Sequence, residues 1–236
     1  MTESLFYIDP YLKSCEATVV AVDQHGIRLD RTVFYPMGGG QPGDTGVLCA
    51  EDGHEVRIGD TRKGDQPREI WHIPADGTTA LEVGDRVLAV IDWERRHRHM
   101  RMHTCLHLLC AVVPAGVTGG SINAGYGRLD FDLPDQLLDR DDITRRLNQL
   151  VDAVHPVLPR WITDQEMDDR PELVKTMSVQ PPRGLGRVRL LDIPGVDLQA
   201  CGGTHVANTG EIGPVAVTKI EKKSTHNRRV VVSFVG

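Results

Sequence analysis

Short apolar runs alternate with turn residues along the first part of the chain. The runs cover residues 18–22, 27–29, 32–35, 55–58, 69–72 and 87–91. They are rich in Val, Ile and Thr, and Gly, Pro and Asp separate them, which is the pattern of short strands joined by tight turns. Many short strands in close succession are more typical of a small barrel than of a sandwich. We therefore predict a small β-barrel-like domain in residues 1–92.

The pattern changes after Asp92. Residues 93–113 contain neither Gly nor Pro and are followed by Pro114, which indicates a helix that the proline ends. A second helix is predicted at residues 141–155, because an apolar stripe there repeats at helical spacing. Its members, which we expect in the core, are Ile143, Leu147, Leu150, Val151 and Val154. Further strands are predicted at residues 187–193, 215–221 and 229–235. The predicted fold class is therefore α+β, with the barrel-like domain followed by an α+β domain in residues 93–236.

The net charge hides an asymmetry between the two predicted domains. The formal net charge of the 236 residues is −6, which by itself argues against a general nucleic-acid binder. Residues 1–92 hold 8 Lys and Arg against 16 Asp and Glu, whereas the rest of the chain holds 19 against 17. The second part also contains two basic runs, each of which is either a solvated face or a surface for phosphate groups. They are Arg95, Arg96, Arg98 and Arg101, and then Lys219, Lys222, Lys223, Arg228 and Arg229.

The sequence predicts neither a membrane span nor a targeting signal. No apolar run approaches the roughly 18 residues that a membrane-spanning helix needs, and the N-terminal residues lack the basic and apolar regions of a signal peptide. The five cysteines are an odd number and most are widely spaced, so a disulfide framework is not indicated. We expect a soluble cytoplasmic protein whose cysteines serve metal binding or catalysis. The absence of a long heptad seam favours a monomer.

Two histidines on the first predicted helix form a candidate metal site with residues far downstream. His103 and His107 are four residues apart, so both imidazoles project from one helix face. Cys201 and His205 enclose two glycines and a threonine, and would supply a thiolate and a third imidazole from a flexible loop. Three nitrogens and one sulfur suit Zn²⁺. The alternative is a buried histidine pair and a small core cysteine without a metal.

Neighbouring histidines and cysteines are weaker candidates. His99 extends the same spacing along the helix, but it lies among arginines, so we expect it on the surface. Cys105 is predicted to point away from the histidine face. Cys110 follows His107 by three residues and stays open as a ligand.

A zinc ion with four protein ligands is usually structural, whereas a catalytic zinc keeps a position for water or substrate. A loose ligand or a fifth position would still allow hydrolysis of an ester. The residues between His103 and His107 do not include the glutamate of the H-E-x-x-H motif, so a peptidase is disfavoured.

Three consecutive glycines, Gly38 to Gly40, expose the backbone of the first domain to close approach by a ligand or another chain. Gln41 follows them and offers both a hydrogen-bond donor and an acceptor. The segment is not a Walker loop, because no Lys-Ser or Lys-Thr follows, and ATP is not an expected ligand. The alternative is a tight hairpin that packs on the neighbouring domain.

Several short segments occur in a fixed order along the chain. They are FYPMGGGQPGDTG at 34–46, HTCLHLL at 103–109, GS at 120–121, RLDFD at 128–132, CGGTHV at 201–206, TGEIG at 209–213 and NRRV at 227–230. In kind and order they resemble the motifs of the editing module of alanyl-tRNA synthetases and of its free-standing relatives, the AlaX-type editing proteins. The resemblance covers nearly the whole chain. It departs at residues 224–226, where Ser-Thr-His stands in place of a glycine-rich turn.

The resemblance implies a trans-editing hydrolase that cleaves the ester between tRNA(Ala) and a wrongly attached amino acid, chiefly serine and also glycine. The family's zinc ligands, which are also its catalytic residues, carry over onto His103, His107, Cys201 and His205. Thr118 matches the position of a threonine that binds the extra hydroxyl of serine. A hydrogen-bonding partner of this kind discriminates substrates better than an apolar pocket does.

The resemblance also implies contacts made by other parts of the chain. Gly39, Gly40 and Gln41 are expected to bind substrate from the first domain. The second basic run, Lys219 to Arg229, is the first candidate for phosphate contacts with tRNA, and Arg95 to Arg101 is the second. No aminoacylation domain is present, so neither ATP binding nor tRNA charging is expected.

Two other functions remain open at this point. The first is a non-catalytic tRNA-binding protein in which zinc only stabilises the fold. The second keeps the hydrolysis but changes the substrate, for example to tRNA(Thr) that carries serine, because threonyl-tRNA synthetases use a related editing fold.

Overall fold

Six strands in the first part of the chain close into a barrel in this computed structural model, which describes residues 1–77, 80–134, 137–177 and 186–235. The strands of this part are β1 (Glu3–Ser4), β2 (Ser14–Asp23), β3 (Gly26–Leu29), β4 (Arg31–Thr32), β5 (Gly46–Ala50), β6 (Glu55–Lys63), β7 (Ile70–Pro74) and β8 (Arg86–Ile91). The barrel order is β2-β3-β7-β6-β5-β8, and every pair in it is antiparallel. β1 and β4 form a separate short parallel pair.

The barrel is filled by residues from alternating positions of its strands. Val19, Ile27, Leu29, Leu48 and Ala89 are among the buried residues of this core. A closed barrel has no free strand edge, so each of its strands has a neighbour on both sides. The predicted barrel-like domain is therefore confirmed.

The glycine-rich segment between β4 and β5 forms a tight turn. The backbone amides and carbonyls of Gly38 and Gln41 exchange two hydrogen bonds, of 3.1 and 3.0 Å. Gly39 and Gly40 have φ angles of +59° and +80°, which side chains with a Cβ rarely adopt. Gly39 and Gly40 are exposed, whereas Gln41 is buried.

A buried ion pair ties this segment to the start of the first helix. The Arg96 guanidinium and the Asp44 carboxylate are both completely buried, with Nε of Arg96 2.9 Å from Oδ2. Arg96 also donates to the carbonyl of Val33, and Asp44 accepts from the amide of Tyr35. Arg95 donates to the carbonyl of Gly43 at 2.7 Å. The expectation that this basic run contacts phosphate is therefore wrong for Arg96, because a fully paired, buried charge is out of reach of a ligand.

Helices and two antiparallel sheets make up the rest of the chain. The helices are α1 (Trp93–Val112), α2 (Arg140–Asp152) and α3 (Asp164–Asp168), and the strands are β9 (Val117–Ile122), β10 (Tyr126–Asp132), β11 (Leu158–Thr163), β12 (Arg187–Ile193), β13 (Asp197–Ala200), β14 (Val215–Lys222) and β15 (Asn227–Phe234). Short 3-10 helices lie at Leu5–Tyr7, Pro171–Leu173 and Thr209–Ile212. The sheet orders are β14-β15-β10-β9 and β11-β12-β13. These elements confirm the α+β class.

The chain divides into two compact units, Met1–Arg98 and His99–Gly236. The boundary thus falls inside α1, whereas the change of pattern in the sequence predicts it near Asp92. The reason lies in the first turns of the helix: Trp93 packs against the barrel core and Arg96 is paired there. Among the helices of the described residues, none is long and apolar enough to cross a membrane.

Helix α2 is shorter than its apolar stripe predicts. Ile143, Leu147 and Val151 are buried as expected. Val154, by contrast, lies beyond the helix, has a φ of +52° and is 56% exposed, so its assignment to the core is wrong. A left-handed backbone at this position ends the helical repeat and turns the side chain away from the stripe.

Candidate metal centre

The four predicted ligands converge at one place in the second unit. α1 presents His103 and His107 from one face, and the loop after β13 brings Cys201 and His205 to the same point. One ligand atom from each residue lies within 4.8 Å of the other three. The three histidines are buried, and Cys201 is of intermediate exposure.

The spacing of the ligand atoms fits zinc. Cys201 Sγ lies 3.5 Å from Nε2 of His103 and 3.2 Å from Nε2 of His205. In a tetrahedral site, Zn–N bonds of about 2.0–2.1 Å and a Zn–S bond of about 2.3 Å separate nitrogen from sulfur by about 3.5 Å. The donor set of three imidazoles and one thiolate is also one that zinc prefers.

The hydroxyl of Thr104 sets the orientation of His205. Thr104 is completely buried on α1, and its hydroxyl donates to the carbonyl of Met100 at 2.9 Å. Because that hydroxyl proton is used, its oxygen acts as acceptor for Nδ1 of His205 at 3.2 Å and for the amide of Val206 at 3.3 Å. The proton of His205 is thereby held on Nδ1, and Nε2 keeps its lone pair toward the cluster.

A buried carboxylate sets the orientation of His107. Oδ2 of Asp197 lies 3.0 Å from Nδ1 of His107. Asp197 also accepts from Nε2 of Gln199 at 2.6 Å and pairs with Nζ of Lys175 at 2.5 Å. Burial raises the pKa of Asp197, but the bonds from His107, Gln199 and Lys175 outweigh burial and lower it to about 2. Asp197 is therefore an acceptor that keeps the His107 proton on Nδ1.

Cys201 and the surrounding histidines shift one another's pKa values. Burial raises the pKa of the Cys201 thiol, but the imidazoles of His103, His205 and His107 hold it well below its usual range. Burial lowers the pKa of His205 well below its usual value. Burial also lowers the pKa of His107, but Cys201 and Asp197 outweigh it and raise that pKa to about 9. The sulfur is thus a thiolate, the form in which cysteine binds metals.

A buried arginine shapes the ligand loop. Nη1 of Arg189, on β12, donates to the carbonyls of Cys201 and Gly203 at 3.0 and 2.9 Å. The amide of Cys201 in turn donates to the carbonyl of Arg189 at 3.1 Å, which continues the pairing of β12 with β13. Hydrogen bonds from Arg189 therefore fix the backbone of the loop where it leaves the sheet.

The other histidine and cysteines of α1 lie outside the ligand set. His99 is only 2% exposed, so its assignment to the surface is wrong; the arginines beside it do not mark an exposed face because Arg96 is itself buried. Burial raises the pKa of Cys105 and of Cys110 to about 12. Both stay protonated and pack as small apolar side chains. Arg101, another member of the first basic run, donates a hydrogen bond to the carbonyl of Ile212 at 2.7 Å.

Thr118, Gly39, Gly40 and Gln41 are the predicted substrate-binding residues. Thr118 lies on β9, with its hydroxyl 3.1 Å from the carbonyl of Asp130 and 2.9 Å from Oδ1 of Asn227. The two glycines and Gln41 belong to the turn of the first unit. Their roles in substrate binding stay predictions.

The second basic run divides between the two faces of the β14–β15 hairpin. On one face, Glu221 pairs with Lys219 at 2.7 Å and with Lys223 at 3.6 Å. The same face carries Arg229, whose Nε and Nη2 bond the Asp130 carboxylate at 2.7 and 2.9 Å. Asp130 is thus a strand residue paired with arginine.

The opposite face of this hairpin carries two basic residues. Lys222 and Arg228 are directly opposed across the two strands. Arg228 bonds the carbonyls of Ser224 and Pro134, and within the described part of the chain neither basic residue pairs with an acid.

Sequence reasoning missed the residues that orient the ligands. They are Thr104, Lys175, Arg189, Asp197 and Gln199. A weak signal for two of them was present, because Asp197, Gln199 and Cys201 stand at alternating positions and so would share one face of a strand, although no strand is predicted there from the sequence. Thr104 and Lys175 have no comparable signal, since their contacts depend on how α1 and the loop at residues 174–177 pack.

The chain is similar to known proteins over almost its whole length. Residues 188–231 match the threonyl and alanyl tRNA synthetase second additional domain, and residues 7–95 match the class II (A) tRNA synthetases. Alanyl-tRNA editing protein AlaX-M of Methanosarcina acetivorans is 38% identical, and the alignment covers 98% of each chain. The chain belongs to the AlaX-type alanyl-tRNA editing proteins. AlaX-M of Saccharolobus solfataricus is 34% identical, again over 98% of each chain.

This AlaX-type protein is also similar to one part of a longer protein, a synthetase. The alanine–tRNA ligase of Pyrococcus furiosus is 34% identical over 98% of this chain, but the alignment covers only 25% of the ligase. The AlaX-type protein thus corresponds to one part of the larger enzyme.

Replacement of Asp197 by Asn tests the orienting role of the carboxylate. Asn offers a single oxygen, so it cannot accept from His107 and from Lys175 at once, and the His107 tautomer is no longer fixed. We expect zinc affinity, measured by competition with a chromophoric chelator, to fall about 10- to 100-fold.

Asp192→Asn is the matched control, because Asp192 lies in the same sheet and pairs with Arg160 at 2.6 Å without bonding a ligand residue. Equal zinc affinities for the Asp197 variant and this control would show that Asp197 does not support the metal.

Proposed function

We propose that this protein hydrolyses mischarged tRNA(Ala) in a zinc-dependent reaction, with serine as its chief substrate amino acid and glycine as a second. As an alanyl-tRNA editing protein it is an aminoacyl-tRNA deacylase, a hydrolase of a carboxylic ester. The observation that carries the proposal is the convergence of His103, His107, Cys201 and His205 in one cluster. By the resemblance of their motifs, these four residues stand for the metal ligands of the family.

The cluster supports ester hydrolysis through the states in which its side chains are held. A zinc ion bound by the four residues supplies a Lewis acid for the ester carbonyl or for a water molecule. Thr104 and Asp197 hold the protons of His205 and His107 on Nδ1. The amide of Gly203 donates to Sγ of Cys201 at 3.5 Å, so the loop backbone reaches the cluster, and we assign backbone amides of this loop to the developing oxyanion.

Thr118 supports the choice of serine. Its hydroxyl has a single proton and two acceptors within reach, the carbonyl of Asp130 and Oδ1 of Asn227. Once that proton is donated, the Thr118 oxygen is available as an acceptor for the hydroxyl of serine. Alanine has no such hydroxyl, so the bond would favour the wrong amino acid over the right one.

One observation favours a second candidate substrate. The domain that matches residues 188–231 is shared by threonyl and alanyl tRNA synthetases. Serine attached to tRNA(Thr) is therefore the alternative, and it requires the same ester hydrolysis.

A deacylation assay with a panel of charged tRNAs tests the proposal. We expect rapid release of serine from Ser-tRNA(Ala), release of glycine from Gly-tRNA(Ala), and little release from Ala-tRNA(Ala) or Ser-tRNA(Thr). Cys201→Ala removes the only sulfur ligand and should lower the rate by about 100-fold or more.

Cys49→Ala is the control for this assay, since Cys49 lies on β5 of the barrel and should keep full activity. Release from Ser-tRNA(Thr) alone would select the second candidate. A folded, zinc-loaded protein that releases no amino acid would leave only tRNA binding with a structural zinc.

The hairpin face of Lys222 and Arg228 is our candidate for contacts with the tRNA phosphates. The other members of the run are paired with Glu221 or Asp130, which lowers their contribution to phosphate binding.

Lys222→Ala should weaken tRNA binding and reduce the slope of log affinity against log salt by about 1. The matched control is Lys219→Ala, whose charge is already balanced by Glu221 and whose loss should change the slope less. Equal slopes for wild type and Lys222→Ala, measured by filter binding over a salt series, would exclude this face.

A further inference from the structure

An aromatic side chain and an arginine are exposed together on the sheet formed by β11, β12 and β13. Trp161, on β11, is 43% exposed, although tryptophan is usually largely buried. The guanidinium of Arg187, at the exposed start of β12, lies over the indole, with its carbon 4.8 Å from the ring centroid. The pair forms a flat, positively charged surface.

Strand register places this pair on the same sheet face as Cys201. Trp161 is directly opposite Arg189, and Arg189 is hydrogen-bonded to Cys201 in the continuation of the next strand pair. Directly opposed residues of antiparallel strands point to the same face. With a strand spacing of about 4.8 Å, the backbones of Trp161 and Cys201 are about 10 Å apart. Arg187 is diagonal to Trp161 on this face.

One hydrophobic cluster of this sheet lies on its other face, where Ile162, Val188 and Leu190 pack with Met167 and Leu173. Trp161 is not a member of this cluster. Leu191 and Ile193 are buried on the face of Trp161. The cluster on the other face therefore does not account for an exposed tryptophan next to the metal centre.

We propose that Trp161 and Arg187 form a stacking platform for the terminal base of the tRNA acceptor end. This inference rests on the proposed function. The scissile ester is attached to the ribose of the last nucleotide, so the base of that nucleotide is only one ribose away from the ester. With the ester at Cys201 and its neighbours, the base lies within reach of a surface about 10 Å away.

The chemistry of the pair matches this ligand. The acceptor end is single-stranded, and proteins bind single strands by stacking bases on aromatic rings beside positive charge. Because the Arg187 guanidinium lies over the indole, a base stacks on the plane of the guanidinium that the indole supports. The positive charge of Arg187 also serves the adjoining phosphate. Such a platform contributes affinity for any acceptor end, while the identity of the tRNA is read elsewhere.

Steady-state deacylation of Ser-tRNA(Ala) tests the platform. We expect Trp161→Ala to raise KM about tenfold with a smaller change in kcat, because stacking binds the ground state and the transition state alike. Trp161→Phe keeps an aromatic face and should restore most of the affinity. Arg187→Ala should also raise KM. Tyr126→Ala is the control, since Tyr126 is equally exposed, at 47%, but lies on β10 of the other sheet.

Binding of RNA minihelices separates the platform from the rest of the proposed function. Wild type should bind a minihelix with a complete acceptor end more tightly than one that lacks the last nucleotide, and Trp161→Ala should bind both equally. An unchanged KM together with an unchanged preference for the complete end would overturn the platform, even if wild type is an active deacylase. If wild type binds the complete end preferentially but releases no amino acid, the proposed function fails while the platform stands.

Discussion

Two hydrogen bonds to imidazole Nδ1 atoms determine the geometry of the metal centre. A neutral imidazole has one nitrogen that donates and one that accepts, and the partner of the first decides the orientation of the second. Thr104 holds the proton of His205, and Asp197 holds that of His107. Nε2 of His205 therefore faces the thiolate of Cys201 with its lone pair, and Nε2 of His107 offers one when metal binding displaces the proton that its raised pKa retains. Without these bonds, four suitable side chains would still be present, but their lone pairs would not converge.

The same contacts connect the elements of the second unit. Thr104 stands on α1 next to His103, whereas Asp197 stands on β13 close to the ligand loop. α1 supplies His103 and His107, and its Thr104 orients His205 of the loop. Asp197 of β13, the strand before that loop, orients His107 of α1. Arg189 adds the third link, because it holds the carbonyls of the loop from β12. The hydrogen bonds that orient the metal ligands are therefore also bonds that join α1, the ligand loop and the sheet.

The sequence predicts the fold and the ligands better than it predicts their surroundings. The barrel and the spacing of His103 and His107 follow from local periodicity, which sequence records directly. Arg96 and Val154 show the limit of this reasoning. Arg96 belongs to a basic run but is buried because Asp44, 52 positions away, satisfies its charge. Val154 continues an apolar stripe but falls after the helix has ended.

The orienting residues were not predictable for a similar reason. Thr104 and Asp197 act through hydrogen bonds between elements that are distant in sequence. The alternation of Asp197 with Cys201 suggests a shared strand face, but no local pattern encodes the bond of Asp197 to His107. Charge shows the same effect: Lys219 and Lys222 are close neighbours in one basic run, but only Lys219 is balanced by Glu221. Pairing across a hairpin decides which charges remain for a ligand.

X-ray absorption spectroscopy of the zinc-loaded protein tests the central claim most directly, because it reports the atoms that surround the metal. The structure predicts one sulfur at about 2.3 Å and three imidazole nitrogens at about 2.0–2.1 Å. A further light atom at similar distance would agree with a position for water or substrate. A first shell without sulfur, or one with fewer than three imidazoles, would contradict the convergence of His103, His107, Cys201 and His205 on one ion.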